Sequence, residues 1–181
     1  MPFDEKHSIS LYEISKVAAD HYCRIYHKVD GQSTISLSNF TVHGHRMRSD
    51  LAITISTSKM LTNDPFIVYR DGEKTRDFTY ISDIVRVNLD PLKTNAADGN
   101  AMNVGGGHRI TVNDLIGHLR EITGSASEVV YSDKQKGDAE HTLAGVGLAG
   151  ELVGYRPGVG IAEGLGRFVD WFKKPQHPST L

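Results

Sequence analysis

A helical pattern occupies the first part of the chain. Apolar side chains recur there at spacings of three and four residues, at Leu11, Ile14, Ala18, Tyr22, Ile25 and Val29. This spacing predicts an amphipathic helix whose apolar stripe faces a core, with Gly31 as its C-terminal cap.

Strand and helix patterns alternate along the rest of the chain. Clusters of β-branched and aromatic residues predict strands at 33–42, 66–69, 101–104 and 127–133. Apolar periodicity predicts helices at 51–61, from Ser82 until Pro91 disrupts the pattern, at 111–124, at 141–155 and at 161–172. This order of elements indicates a mixed α/β fold.

Glycine and capping residues refine the predicted helices. Thr111 is a predicted N-cap, Asp114 completes a T-x-x-D start, and Gly124 ends the helix. Glycine makes up 18 of the 181 residues, about 10% against a usual ~7%. Part of this surplus falls in the two last predicted helices, where each interior glycine is expected to cost about 1 kcal/mol relative to alanine.

Composition narrows the classes of protein and partner. A net charge of −2 with 39% hydrophobic and 23% charged residues is typical of a globular protein and favours neither nucleic acid nor a membrane surface as partner. No apolar run reaches the roughly 18 residues of a membrane span, and the first ten residues lack the apolar core of a secretory signal. The single cysteine, Cys23, has no partner for an internal disulfide, which predicts a packed thiol and a cytoplasmic location.

The clearest candidate for chemistry is a tyrosine–lysine pair. Tyr12 and Lys16 are four residues apart, so a helix places them on one face. An ammonium about 4 Å from the phenol stabilises the phenolate by ~4 kcal/mol at an effective dielectric constant near 20, which would bring the tyrosine pKa closer to neutrality. The alternative is a chance pairing of two common surface residues.

Two glycine motifs resemble phosphate-binding loops. The segment "GVGLAG" (145–150) matches G-x-G-x-x-G, but no strand precedes it, as a dinucleotide-binding loop requires. The segment "VGGGHR" (104–109) follows a strand but lacks the third glycine, which favours a tight turn. We therefore expect neither loop to hold a phosphate.

Histidine and charged residues give weaker signals. His43 and His45 form an H-x-H pair without a visible third ligand, which predicts a solvated loop and no metal site. Arg76, Asp77 and Asp83 fit an exposed, ion-paired surface, while the arginine alone fits a diphosphate-binding role equally well.

Five segments, in order, resemble the C-terminal half of the extended short-chain dehydrogenase/reductases, the NAD-dependent epimerase/dehydratase family typified by UDP-glucose 4-epimerase. They are "LYEISKVAADHYCRIYH", "SLSNFTVHGHR", "VYRDGEKTRDFTYISDIV", "NVGGGHRITVNDL" and "KGDAEHTLAGVGLAGELVGYRP". The third is the most specific, since it is similar to the family pattern Y-G-D-G-x-Q-T-R-D-F-(T/I)-Y-V-D-D-V. The resemblance implies a Rossmann-like α/β fold with a small substrate-binding domain, without the N-terminal Gly-rich dinucleotide-binding half.

The resemblance also implies roles for individual residues. Tyr12 would be the acid/base, Lys16 would hold the nicotinamide ribose and Phe40 would line the nicotinamide end of the site. Arg76 would bind the diphosphate of the nucleotide sugar, and Thr41 stands where the family has an asparagine that reaches the same phosphates. NAD is the implied cofactor, and a UDP-linked sugar is the implied substrate.

Several positions depart from the family pattern. Ser38 replaces an arginine, and His43 and His45 replace the usual tyrosine and proline. Glu140 occupies the position of a second diphosphate-binding arginine, so repulsion replaces attraction for an anionic ligand. Five glycines stand where better helix formers are usual: Gly145, Gly147, Gly150, Gly160 and Gly166.

These observations lead to three expectations about function. The first is a truncated nucleotide-sugar epimerase/dehydratase that is inactive as an isolated chain. The second is a non-catalytic assembly module that forms a homodimer or pairs with a full-length relative, and the third is a poorly folding gene product. The predicted division is a cofactor-domain remnant at 1–65, a mainly substrate-binding part at 66–175 and a tail at 176–181.

Overall fold

The computed structural model describes residues 11–133 and 140–174, and within these ranges the chain forms an α/β fold. The helices are α1 (Leu11–Asp30), α2 (Ala52–Thr62), α3 (Ile81–Leu89), α4 (Val112–Thr123), α5 (Gly147–Val153) and α6 (Ile161–Phe172). The strands are β1 (Ser36–Asn39), β2 (Thr41–His43), β3 (Phe66–Tyr69), β4 (Thr75–Arg76), β5 (Phe78–Tyr80), β6 (Ala101–Val104), β7 (Ile110–Thr111) and β8 (Val129–Ser132).

The strands pair across long stretches of sequence. β1 runs parallel to β6, β2 to β5 and β3 to β8, while β4 and β7 are antiparallel. The segment predicted as one strand at 33–42 is two, because its pairing partner changes at Phe40. The Phe40 N–H donates to Val104 O at 2.9 Å, and the next N–H, that of Thr41, donates to Asp77 O at 3.2 Å. One extended segment therefore connects two pairs of strands.

Two apolar clusters fill the interior. The first is formed by α2, β3, α4 and α6, and its fully buried members include Leu119, Leu165 and Phe168. The second lies between β6, α3 and α5 around Val87, Val104 and Ala149, with Leu37 of β1 packed against it. Each cluster draws residues from segments far apart in the chain, so neither forms without the other segments of the fold.

Asp77 joins three segments by its carboxylate. The side chain is fully buried between β4 and β5. It accepts hydrogen bonds from the N–H of Gly106 at 2.6 Å, of Gly107 at 3.2 Å and of Ala144 at 3.0 Å. The carboxylate thus fixes both the glycine turn after β6 and the loop that leads to α5.

Asp83 acts in the same way at the start of α3. Its buried carboxylate accepts from the N–H of Gly158 at 2.9 Å and of Val159 at 3.2 Å, and it pairs with Arg86 at 3.0 Å. These bonds hold the loop before α6. The expectation that Asp77 and Asp83 belong to an exposed surface is therefore wrong, because both satisfy backbone N–H groups in the interior.

Helix α1 forms as predicted, but its apolar stripe does not face a core. The described chain buries none of its residues, and Leu11, Tyr22 and Val29 are each more than two-thirds exposed. Gly31 has the left-handed conformation of a C-cap (φ +66°), and its N–H donates to His27 O at 3.1 Å. The stripe is thus available to a further segment or chain.

Four further helix predictions, at 51–61, from Ser82 to Pro91, at 111–124 and at 161–172, are confirmed in outline. Thr111 and Asp114 form a capping box, with Asp114 N–H donating to Thr111 Oγ1 at 2.9 Å, and Gly124 ends α4 in the left-handed conformation. At Pro91 the α3 helix gives way to a short 3₁₀ turn, Asp90–Lys93. No helix within the described ranges combines the length and apolarity needed to cross a bilayer.

The prediction of a long glycine-rich helix at 141–155 is wrong over its first half. Helix α5 begins only at Gly147, because the preceding segment is bound to Asp77 through Ala144. Gly145 lies in this loop and Gly160 is the residue before α6, so neither costs helix stability. Of the other three glycines, Gly147 is the first residue of α5, and Gly150 and Gly166 lie inside helices.

We predict that Asp77→Asn lowers the free energy of unfolding by about 2–4 kcal/mol, because an amide presents donors to N–H groups that need an acceptor. Urea unfolding followed by circular dichroism measures this change. Asp50→Asn is the matched control, since Asp50 is an exposed aspartate paired with Arg48, and it should leave the transition unchanged. Equal transitions for Asp77→Asn and Asp50→Asn would contradict the role given to Asp77.

Candidate functional site

Tyr12 and Lys16 are in contact on α1. The Lys16 ammonium lies over the Tyr12 ring, 5.1 Å from its centroid, which is the arrangement of a cation–π pair. Tyr12 is 70% exposed, so its hydroxyl is accessible to a ligand. The helix spacing that predicted the pair is therefore confirmed as a spatial contact.

The C-terminal end of α1 lies beside the starts of β1 and β6. Thr34, just before β1, donates from Oγ1 to Cys23 O at 2.8 Å. Gly99, just before β6, packs against the His27 ring so closely that a Cβ there would come within 2.3 Å of it. Because α1 has 20 residues and rises about 1.5 Å per residue, Tyr12 lies far along the helix from this junction.

Phe40 and Thr41 lie where β1 and β6 end. The parallel register pairs Asn39 with Val104, so both strands terminate at the same edge. In open α/β sheets, ligands bind beyond the carboxyl ends of the strands. Both residues are half-buried at the point where the chain changes its pairing partner.

Arg76 is close to Thr41 in the strand register. Thr41 pairs with Phe78, two residues after Arg76. The Arg76 guanidinium is held by carbonyl groups, donating from Nη1 to Thr75 O at 2.9 Å and to Glu140 O at 3.2 Å. Thr41 and Arg76, the two residues predicted to bind substrate, therefore lie on neighbouring segments of the backbone, whereas Tyr12 and Lys16 lie on a separate helix.

Glu140 is paired with Arg70. Its carboxylate Oε1 lies 2.7 Å from Arg70 Nη1 at the protein surface. The Arg70 guanidinium holds the pKa of Glu140 below its usual value. The carboxylate is therefore ionised and already has a cationic partner.

His43 is buried, which contradicts the predicted solvated loop. The side chain is 1% exposed in β2, and within residues 11–133 and 140–174 no donor or acceptor meets the geometry of a full hydrogen bond with either ring nitrogen. Burial lowers the pKa of His43 to about 4, so the ring is neutral near pH 7. It packs edge-on to Tyr80 and lies so close to α6 that a Cβ at Gly164 would come within 2.5 Å of its Nε2.

His45 is exposed, although it contacts the same Tyr80 ring as the buried His43. Its ring stacks on Trp171 with centroids 5.7 Å apart, and its Nε2 lies 3.3 Å from Arg167 O. Within residues 11–133 and 140–174, no group of three or more potential ligands is placed to hold a metal ion.

The glycine motifs do not form free phosphate loops. The N–H groups of Gly106 and Gly107, which an anion would need, already bind the Asp77 carboxylate. Gly145 lies in a loop and Gly147 begins α5 directly after it, so no strand leads into this motif. The aromatic residues that follow Asp77 in "RDFTY" were the sequence signal that this acid adjoins a buried strand, β5.

The sequence and fold match one known family. The model of the NAD dependent epimerase/dehydratase family matches residues 1–105. The chain belongs to this family. Among curated relatives, it is 31% identical to an uncharacterized UDP-glucose epimerase, YtcB, of Bacillus subtilis, over 87% of this chain and 50% of that protein. It is 32% identical to a UDP-glucuronate 4-epimerase of Thermodesulfobacterium geofontis, over 92% of this chain and 51% of that protein.

Solved structures agree. A UDP-glucose 4-epimerase of Thermotoga maritima, solved with UDP-glucose, superposes with a TM-score of 0.88 at 33% identity, over 92% of this chain and 54% of that one. A UDP-glucuronic acid 4-epimerase of Bacillus cereus, solved with UDP-glucuronic acid and NAD, gives 0.83 at 33% identity, over 90% and 52%. The predicted fold, the C-terminal part of an extended short-chain dehydrogenase/reductase, is confirmed. The chain spans about half the length of the relatives it matches.

We predict that His43 makes the fold sensitive to acid. Its pKa is about 4 when folded and near 6.5 when unfolded, so the unfolded chain binds the proton more tightly. The stabilisation is complete above about pH 6.5 and is lost as the pH falls towards 4, by about 2 kcal/mol between pH 7 and pH 5.

Urea unfolding at both pH values measures this loss. His43→Leu should remove most of the pH-dependent loss, while His118→Leu, which alters a partly exposed histidine, should keep it. An unchanged pH dependence in His43→Leu would contradict this assignment.

Proposed function

We propose that this chain carries the acid/base helix and the substrate-binding part of an NAD-dependent nucleotide-sugar epimerase acting on a UDP-linked sugar. The observation that supports this most directly is the Tyr12–Lys16 contact on an exposed helix face, in a chain whose fold matches a UDP-glucose 4-epimerase over 92% of its length.

The described residues fit NAD in part. The shared strand edge at Phe40 offers a ligand position, and the exposed Tyr12 and Lys16 offer a hydroxyl and an ammonium to a nicotinamide ribose. When bound, NAD supplies the hydride acceptor. We found no anion-binding glycine loop for its phosphates in the described part of the chain, where the Gly106 and Gly107 amides are taken by Asp77.

The chain's own residues would carry out proton transfer, water exclusion and diphosphate binding. Tyr12 would act as the phenolate, which the Lys16 ammonium would stabilise. The phenolate would take the proton from a sugar hydroxyl and become the neutral phenol, which would return the proton in the reverse step. Phe40 would exclude water beside the nicotinamide. Thr41 and Arg76 would hold the diphosphate that positions the sugar.

Activity then requires the part of the fold that binds the cofactor phosphates. We propose that the 181 residues alone do not turn over substrate, since the sugar carbon must be held against a clamped cofactor. We also propose that residues 1–65 contribute mainly cofactor contacts and 66–175 mainly substrate contacts. The predicted tail at 176–181 lies outside the described residues. This division concerns ligand contacts and does not separate two folding units, because each apolar cluster contains residues from before and after residue 65.

A second candidate function is assembly without catalysis. The exposed stripe of α1 supports it, since Leu11, Tyr22 and Val29 present a large apolar surface. The partner would be a second copy or a full-length relative.

The unpaired Cys23 supports a reducing compartment, and we propose that the protein lies in the cytoplasm.

We predict that joining the N-terminal half of the Thermotoga maritima enzyme to this chain restores UDP-sugar epimerisation, which the isolated chain lacks. In this chimera, Tyr12→Phe should lower kcat by about 10²–10⁴-fold, because the acid/base hydroxyl is lost. A coupled NADH absorbance assay measures it.

Tyr22→Phe provides the control, since Tyr22 lies on the same helix and is 68% exposed, close to the 70% of Tyr12. It should keep full activity. If Tyr12→Phe were as active as Tyr22→Phe in a chimera that binds NAD, the proposed role of Tyr12 would be wrong.

For the assembly function we predict self-association through α1. Light scattering coupled to gel filtration should give twice the 19.9 kDa chain mass, and Ile14→Asp with Ile25→Asp should return the monomer mass, because charges would face the apolar interface. Ile67→Asp, at an equally exposed apolar position on β3, should leave the dimer intact. A monomer at high concentration, in the absence of any relative, would exclude the second-copy form of this proposal.

A further inference from the structure

Strand β8 has one free edge. In the described part of the chain it pairs only with β3. The Glu128 and Ser132 carbonyl groups accept from N–H groups of β3 and of the residue after it, at 3.1 and 2.8 Å, so the even-numbered residues of β8 bond to β3. Because the bonding direction alternates along a strand, the N–H and C=O groups of Val129 and Tyr131 point away from β3. Such an edge can pair with a strand of another chain.

A cleft lies along this edge. Its volume is about 570 Å³, and it is bounded by β8 on one side and by helix α4 on the other. The α4 residues that line it are Asn113, Ile116, Gly117 and Arg120, which share one helix face because they recur every three or four residues. Tyr131 faces the same cleft, since its hydroxyl donates to Asn113 Oδ1 at 3.1 Å.

The spacing of these α4 residues matches that of an added strand. Residues 113 and 120 are seven positions apart, a rise of about 10.5 Å along the helix. Three alternate residues of a strand span about 13 Å. An extended segment on the β8 edge would therefore place three successive α4-facing side chains beside Asn113, Gly117 and Arg120.

Gly117 leaves the middle of the cleft open. It lies inside α4, where glycine costs about 1 kcal/mol relative to alanine, and a Cβ there would meet nothing within 4 Å. Packing within the described residues therefore does not require a glycine at this position. The missing side chain leaves room above the buried Ile116 for an apolar side chain of another molecule.

Arg120 determines the charge at one end of the cleft. Its Nη2 donates to Ser127 O at 2.8 Å, which holds the guanidinium at the start of β8. Within residues 11–133 and 140–174 no carboxylate lies at ion-pair distance from it. Glu128 also borders the cleft, but its side chain leaves the strand on the face opposite to that of Tyr131. The remaining donors of the guanidinium therefore favour an acidic residue in a partner.

We propose that the cleft between α4 and β8 binds an extended segment of a partner protein as an added antiparallel strand. In N- to C-terminal order, this segment carries a polar, an apolar and an acidic residue at alternate positions, which face Asn113, Gly117 and Arg120. Main-chain bonds to Val129 and Tyr131 supply affinity, and the three side chains supply selectivity. This inference goes beyond the proposed function and does not depend on it.

A capped, fluorescein-labelled peptide, Lys-Thr-Thr-Val-Thr-Glu-Lys, tests the cleft by fluorescence anisotropy with the full chain. It should bind saturably. Gly117→Leu should weaken binding about tenfold, because its side chain fills the cleft, and should fold at least as well as the parent chain, because leucine favours a helix. Gly166→Leu is the matched control, since Gly166 is also a helix-interior glycine with open space around its Cβ position. It should keep the parent affinity.

A charge swap tests the acidic position. Arg120→Glu should weaken binding of the peptide about tenfold. A peptide with lysine in place of glutamate should bind Arg120→Glu more tightly than it binds the parent chain, which a variant with a merely displaced loop would not do. Arg48→Glu, at an exposed arginine paired with Asp50, should bind both peptides as the parent chain does.

Amide hydrogen exchange, measured by NMR, tests strand addition. At saturating peptide, exchange at Val129 and Tyr131 should slow at least about tenfold, while Val130, whose N–H is directed to β3, should change little. Four results would overturn the inference: no saturable binding of the peptide, equal affinities of Gly117→Leu and Gly166→Leu, no rescue by the charge swap, or unchanged exchange at Val129 and Tyr131.

Discussion

The Asp77 carboxylate is the constraint on which the rest of this structure depends. It lies without solvent contact between two short strands and binds N–H groups of the glycine turn and of the loop before α5. Burying a charge without partners is very unfavourable, so the fold must deliver all three donors together. This requirement fixes where β6 ends, where α5 begins and, through the adjacent residue Arg76, where the guanidinium proposed to bind substrate lies.

The close approach of the turn to Asp77 also explains why the turn is made of glycine. A Cβ at Gly105 would meet Ala144 at 2.3 Å, and one at Gly106 would meet the Phe78 carbonyl at 2.5 Å. A glycine run that resembles a phosphate loop in the sequence is thus used for an internal anion. The same physical device, backbone N–H groups around a carboxylate, recurs at Asp83, where it holds the loop before α6.

Local signals predicted much of the fold. The prediction of helix α4 followed from the capping box at Thr111 and from Gly124, and the prediction of β3 followed from four consecutive apolar residues. Both predictions succeeded because these signals depend only on residues that are close in the sequence. The burial of Asp77, Asp83 and His43 could not be predicted from local signals. The two carboxylates are buried because N–H donors 29 to 76 residues away bind them. His43 is buried because Gly164, in another element, packs against its ring. The Tyr12–Lys16 contact was predictable from helix spacing, whereas the Arg70–Glu140 pair joins residues 70 positions apart and required the three-dimensional structure.

The contact between His43 and Gly164 has a consequence for how this sequence can change over time. Because the ring nitrogen occupies the space of a Cβ at position 164, even alanine there would press against the imidazole or displace α6 from β2. A smaller residue at 43 would relieve that pressure but open a void, which a larger residue at 164 would then fill. Neither substitution is well tolerated first, so the two positions are expected to evolve as a coupled pair, with the histidine and the glycine each maintaining the other.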